Sequence, residues 1–179
     1  MSRPTVAVID LKALRANFAL AQSLTPGAST IPMVKANAYG HGMIEVSRAL
    51  SESAPAFGVA SIDEALVLRE AGIKQPILLL EGTFSCDEVG VAADNNFILM
   101  VENSVQKDAI LNASISRPVS VWLGIDTGMH RLGFEPHEAT QAYLALSNTD
   151  NVAKPIVAAS HFACADDLGS SATERQVVI

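Results

Sequence analysis

Two kinds of hydrophobic pattern alternate along this chain. Short unbroken apolar runs fall at residues 31–35, 56–60, 76–80, 97–101, 119–125 and 155–160. Each is followed by a loop rich in glycine or polar residues, and then by apolar residues at helical spacing, most clearly over 62–69 and 136–146. The runs start roughly 20 to 36 residues apart, the repeat of a strand-helix unit. Because the runs do not alternate with polar residues, they read as strands buried on both faces, which predicts a parallel sheet covered by helices. Ahead of them, the β-branched stretch 5–9 predicts a strand, and Asp10 offers an N-cap to a helix carrying Leu11, Leu14 and Phe18.

The fold class is therefore α/β, with two architectures open: a (β/α)8 TIM-type barrel or a doubly wound open sheet. A closed barrel needs eight strands and typically about 250 residues, whereas the pattern supplies six runs in 179 residues. Residues 171–179 look like a helix that stops while still apolar, with no glycine, asparagine or proline to close it. This pattern leads us to expect a barrel truncated after about six strands; a complete six-stranded open domain is the alternative. The expected organisation is a leader strand and helix over 1–30 and a partial barrel over 31–179.

Composition narrows the function. With 49% hydrophobic residues the chain can bury a sizeable core, and 12 Lys and Arg against 19 Asp and Glu give a net charge of −7. That balance argues against a nucleic-acid or anionic-membrane surface. No run approaches 18 apolar residues, and Asp10 interrupts the first apolar stretch before it could serve as a secretory signal, so a cytoplasmic protein is expected. Cys86 and Cys164 form no C-x-x-C pair and are expected to be inert thiols. His41, His130, His137 and His161 stand at no metal-ligand spacing with Cys, Asp or Glu, so no metal is expected.

One lysine stands out. Lys35 closes a buried run, and in a βα barrel that strand end lies on the catalytic face. Partial desolvation there favours the neutral amine, which can attack an aldehyde to form a Schiff base. A bare strand-end lysine more often extends its amine to solvent, so position alone does not decide between the two.

The surrounding strings do. Pro32-Met33-Val34-Lys35-Ala36-Asn37-Ala38-Tyr39-Gly40-His41-Gly42 resembles the cofactor-lysine signature of alanine racemases. Ile125-Asp126-Thr127-Gly128-Met129-His130-Arg131-Leu132-Gly133, and then Ser160-His161-Phe162-Ala163 followed by Asp166, match further segments of that family in the same order. Phe57–Val59 with Ala60, and Leu78-Leu79-Leu80-Glu81-Gly82, extend the likeness over essentially the whole chain.

The resemblance implies a pyridoxal 5'-phosphate (PLP) enzyme interconverting L- and D-alanine and supplying D-alanine for peptidoglycan. It implies that Lys35 holds the cofactor and is the base on one face of the substrate, and that Tyr39 turns its hydroxyl to the PLP phosphate. Arg131 would bond the cofactor's phenolic oxygen and help place the substrate carboxylate, His161 would lie beside the ring, and Leu80 would line the pocket. His41 is read as part of the turn. The family's opposite base, a tyrosine from a C-terminal β domain of a partner subunit in a homodimer, is not among these residues, so the chain alone is expected not to racemise alanine and to bind PLP weakly.

One position departs from the family pattern. Many alanine racemases carry a lysine, in several of them carbamylated, seven residues before the arginine; here that position is Gly124. Either a small anion, water or a neighbouring carboxylate fills the gap, or Arg131 is loosely held. The departure keeps a broader amino-acid racemase open as a second reading, beside a non-catalytic PLP-binding barrel and an inactive gene product.

Overall fold

The computed structural model describes residues 4–179; the first three residues of the expected leader lie outside it. Five parallel strands form one sheet in sequential order: β1 (Phe57–Val59), β2 (Ile77–Leu79), β3 (Phe97–Val101), β4 (Ser120–Gly124) and β5 (Val157–Ala159). Helices α4 (Ile62–Glu70), α5 (Asp87–Asp94), α6 (Ser104–Leu111) and α7 (Pro136–Ser147) make the crossovers. A doubly wound sheet reverses its strand order at a switch point. Here each new strand joins the same growing edge, as in a βα barrel, and the strand order decides between the two architectures.

Register explains where side chains point. Gly58 pairs with Leu78 and Leu78 with Ile98; Met100 pairs with Trp122. Residues two apart share a face. Phe57, Val59, Ile77, Leu79, Leu99, Val101, Val121 and Leu123 turn to the helices and form the core with Ala65 and Leu68 of α4 and Leu146 of α7. The alternate set, including Leu78, Met100 and Trp122, turns to the inner side.

The run at 31–35 yields less strand than its pattern predicts. It contributes a single bridge, Met33 to Gly58, with the Val34 amide donating to the Gly58 carbonyl at 2.8 Å and the Gly58 amide to Pro32 at 3.0 Å. Pro32 has no amide to donate, which shortens the ladder. The run 97–101 forms β3 over its whole length, the remaining runs lose a residue or two at their ends, and Val119 and Ile125 flank β4 as isolated bridges.

The leader requires a correction. Helix α1 (Leu11–Ser23) forms as expected, with the Asp10 carboxylate accepting from the Lys12 and Ala13 amides at 2.9 and 3.0 Å and Phe18 buried. The stretch 5–9, however, is not a strand; Val6 and Val8 are 78% and 86% exposed. β-branched residues favour extended backbone, but a strand exists only where a neighbour pairs with it, and among the described residues none does. Near the other end, α8 (Ala172–Val177) occupies the segment expected to be helical. Among the described residues no helix is long and apolar enough to cross a membrane, and both cysteines are free thiols.

Candidate active site

The inward alternation carries on past the strand ends. Two residues beyond Met33 is Lys35, beyond Leu78 is Leu80, beyond Met100 is Glu102, beyond Trp122 is Gly124, and beyond Ala159 is His161. All of them line one cleft of about 640 Å³ at the C-terminal ends of the strands. Tyr39 and Arg131 join from the loops, so each site residue expected from the sequence lies on this cleft. Lys35 and Leu80 are half-buried, whereas Tyr39, Arg131 and His161 are exposed at its rim.

Lys35 opens an unusual turn. Ala36, Asn37, Ala38 and Tyr39 all have φ between 51° and 54°, so α2 (Lys35–Tyr39) is a turn of left-handed helix made without glycine. Each such residue costs roughly 1–2 kcal/mol, and the surrounding bonds offset that cost. The Ala38 amide donates to Val34 at 2.8 Å, the Gly42 amide to the Asn37 carbonyl at 3.0 Å, and the Met43 amide, at the start of α3 (Met43–Leu50), to Asn37 Oδ1 at 2.8 Å. The His41 ring nitrogen Nδ1 lies 2.9 Å from the Ala38 carbonyl, which fits its reading as part of the turn.

Glu64 fastens this turn to the sheet, accepting from the Ala36 amide at 2.7 Å with one carboxylate oxygen and from the Ala60 amide at 2.8 Å with the other. The same device recurs in the loop after β2, where Glu88 accepts from the Phe84 amide at 2.8 Å, and at the end of β3, where Gln106 accepts from the Glu102 amide at 2.9 Å. In each case a residue in the first turn of the next helix reaches back four positions. Gln106 also donates to the Glu81 carbonyl at 2.7 Å, tying the loop after β2 to that after β3. Sequence reading missed these residues, although Ser61-Ile62-Asp63-Glu64 has the S-x-x-E form that marks a helix start.

Past β4, Asp126 closes the loop that carries Arg131. Its carboxylate accepts from the Gly128 and His130 amides at 2.9 and 3.0 Å and meets His130 Nδ1 at 3.0 Å; these backbone bonds hold it below the usual carboxylate range. Phe134, bridged to Ile125, returns the chain to the sheet. Asp126, His130 and Glu135 bring ligand atoms within 4.8 Å of one another, a proximity the sequence spacing did not signal. The Asp126 carboxylate is already committed to closing the turn. Gln176 of α8 accepts from the Ala163 amide at 2.9 Å and donates to the His161 carbonyl at 2.9 Å and to Thr127 Oγ1 at 3.1 Å, joining the loops after β4 and β5.

Charge is unevenly matched at the mouth. Among the described residues the ion pairs join Lys107 to Asp108, Arg117 to Asp94 and His130 to Asp126. Lys35 and Arg131 therefore face the cleft with no carboxylate within 4.0 Å. The Glu102 carboxyl is pushed up to about 7, first by burial and also by Glu81, while Arg131 pulls it down.

Comparison with known proteins agrees with this geometry. Residues 9–178 match the family model described as alanine racemase, N-terminal domain. The chain is 46% identical over 175 residues to an alanine racemase of Edwardsiella ictaluri, covering 98% of this chain and 48% of that protein, and 46% identical to the biosynthetic alanine racemase of Escherichia coli over 96% of this chain and 48% of the relative. The crystal structure of the biosynthetic alanine racemase from Pseudomonas aeruginosa superposes with a TM-score of 0.94 at 41% identity, over 98% of this chain and 49% of that one. An alanine racemase of Clostridium difficile 630 in complex with cycloserine does so at 0.87 and 30%, over 99% and 50%. The chain thus spans about half the length of the relatives it matches, and its (β/α) barrel arc, its strand-end cleft and these matches show that it belongs to the alanine racemase family.

Proposed function

We propose that this chain forms the cofactor-holding half of an alanine racemase active site, with Lys35 bonded to PLP and serving as the base on one face of the substrate. The observation that carries the reading is the half-buried Lys35 amine, without a carboxylate partner, in the same cleft as Tyr39, Arg131 and His161. These residues fit the cofactor. They offer an amine for its aldehyde, a guanidinium fork and a phenol for its oxygens, and Leu80 for its ring, in a space of ordinary small-ligand size. PLP, once bound, would supply the electron sink that makes the substrate's α-proton removable.

The chain's own residues do the rest. Lys35 holds and returns a proton at Nζ, and its aim is fixed by a turn that Glu64 locks to the sheet. The planar guanidinium fork of Arg131 suits a phenolic oxygen or a carboxylate. His161 stands at the end of β5 beside the cleft, where it completes the polar lining.

Racemisation also needs a proton donor on the opposite face, and we place that group outside these residues, on a partner subunit of a homodimer. The substrate is proposed to be alanine, the location cytoplasmic and the product's destination peptidoglycan. Titrating the chain with PLP tests the reading: a visible absorption band should appear and be lost in Lys35→Ala. The same band in both proteins would refute it.

A further inference from the structure

Helix α8 turns a polar residue inward. Gln176 is 5% exposed, while the apolar residues after it, Val177 to Ile179, are all at least 66% exposed. A buried amide is tolerated where its bonds are made, and both ends of this one are bonded. Oε1 accepts from the Ala163 amide at 2.9 Å; Nε2 donates to the His161 carbonyl at 2.9 Å and to Thr127 Oγ1 at 3.1 Å. The two ends cannot be exchanged, because a backbone N–H only donates and a carbonyl only accepts. Thr127 Oγ1 in turn lies 2.7 Å from Ser160 Oγ. Three of the four residues from 160 to 163 are thus tied to one side chain, directly or through Thr127.

Among the described residues, no backbone–backbone bond holds 160–163. The β4–β5 ladder ends where the Ile125 amide donates to the Ala159 carbonyl at 2.8 Å. Beyond that point the bonded backbone groups of His161 and Ala163 meet the Gln176 side chain. Strand β5 is itself largely exposed, so packing does little to keep this segment in place. His161 reaches the cleft by alternation from Ala159, and that requires the backbone to hold its course past the strand end.

We propose that Gln176 is the positioning residue for His161: its side-chain amide accepts on one side of Phe162 and donates on the other, fixing the backbone from which the imidazole meets the cleft. Polarity and not bulk does this, since each of the three bonds needs a donor or an acceptor at a set place. What His161 meets in the loaded cleft rests on the reading given above, but its placement by Gln176 stands apart from that reading.

The test compares two variants of the full chain. Gln176→Met keeps the volume and removes all three bonds; Gln176→Glu keeps the shape and the acceptor for Ala163 but has no proton for His161 or Thr127 when ionised. The first readout is the His161 imidazole signal in proton–carbon NMR of the ligand-free chain, assigned through His161→Gln. Both variants should displace or broaden it while leaving the His41 signal, in the turn after Lys35, unchanged. A His161 signal that keeps its wild-type position and width in Gln176→Met overturns the proposal, and Gln176→Glu decides in the same way if the methionine variant does not fold. The second readout is PLP affinity by absorbance, which should fall about tenfold in both variants, while labelling of Lys35 by formaldehyde and borohydride, which needs no contact with His161, keeps its wild-type rate. Unchanged affinity in both variants counts against Gln176, and so does an equal loss of formaldehyde labelling, which marks general loosening of the fold. If no Lys35-dependent band forms in the wild-type chain, the functional reading fails while the His161 signal still judges the role of Gln176.

Discussion

The two sides of the cleft are built differently. On the Lys35 side, four left-handed residues are held by backbone bonds, by Asn37 and by both oxygens of Glu64, and the strand beside them, β1, is buried throughout. On the Arg131 and His161 side, β5 is largely exposed, and the two loops meet through the Gln176 side chain and a pair of hydroxyls, Thr127 Oγ1 and Ser160 Oγ, 2.7 Å apart. The difference teaches which part of the site is preformed. The group proposed to make a covalent bond sits on the rigid side, and the groups proposed to contact cofactor and substrate oxygens sit on the adaptable one.

If that contrast is right, Glu64→Ala gives the larger effect. It leaves the Ala36 and Ala60 amides without their carboxylate and removes the support of a strained turn, so a loss of about 2–3 kcal/mol is expected in urea unfolding, together with weaker PLP binding. A loss under about half a kcal/mol would show that the turn does not depend on Glu64.

Gln176→Ala should cost less, about 1–2 kcal/mol for three partly buried bonds. Its mark should be local: faster amide hydrogen exchange at Ala163 and around Thr127, with exchange over residues 36–42 unchanged. Equal acceleration on both sides would erase the distinction between them.

Much of this was legible in the sequence. Unbroken apolar runs marked the strands because β1 to β4 are buried or half-buried on both faces, and the run ending in Lys35 placed that residue on the cleft. Asp10 announced α1 through ordinary capping chemistry. Three features were not legible, each for a physical reason. The stretch 5–9 has the residues of a strand but no neighbour to pair with, and propensity carries no information about neighbours. The left-handed turn at 36–39 uses Ala, Asn and Tyr, so it lacks the glycines that normally announce positive φ. The longest partnerships of Glu64, Gln106 and Gln176 join residues 25 to 49 positions apart, which no local pattern reports. Gly124 was visible as a departure, and a neighbouring carboxylate was one of the occupants considered. Only the register of β3 against β4 shows that Glu102 is the residue lying there.

The central claim is that one amine in this chain, Lys35 Nζ, is the atom that bonds an aldehyde cofactor. The most direct measurement is to incubate the chain with PLP, reduce with borohydride and map the modified peptide by mass spectrometry. The account predicts labelling concentrated at Lys35; labelling spread over Lys12, Lys74, Lys107 and Lys154, with Lys35 no more reactive than these, would contradict it.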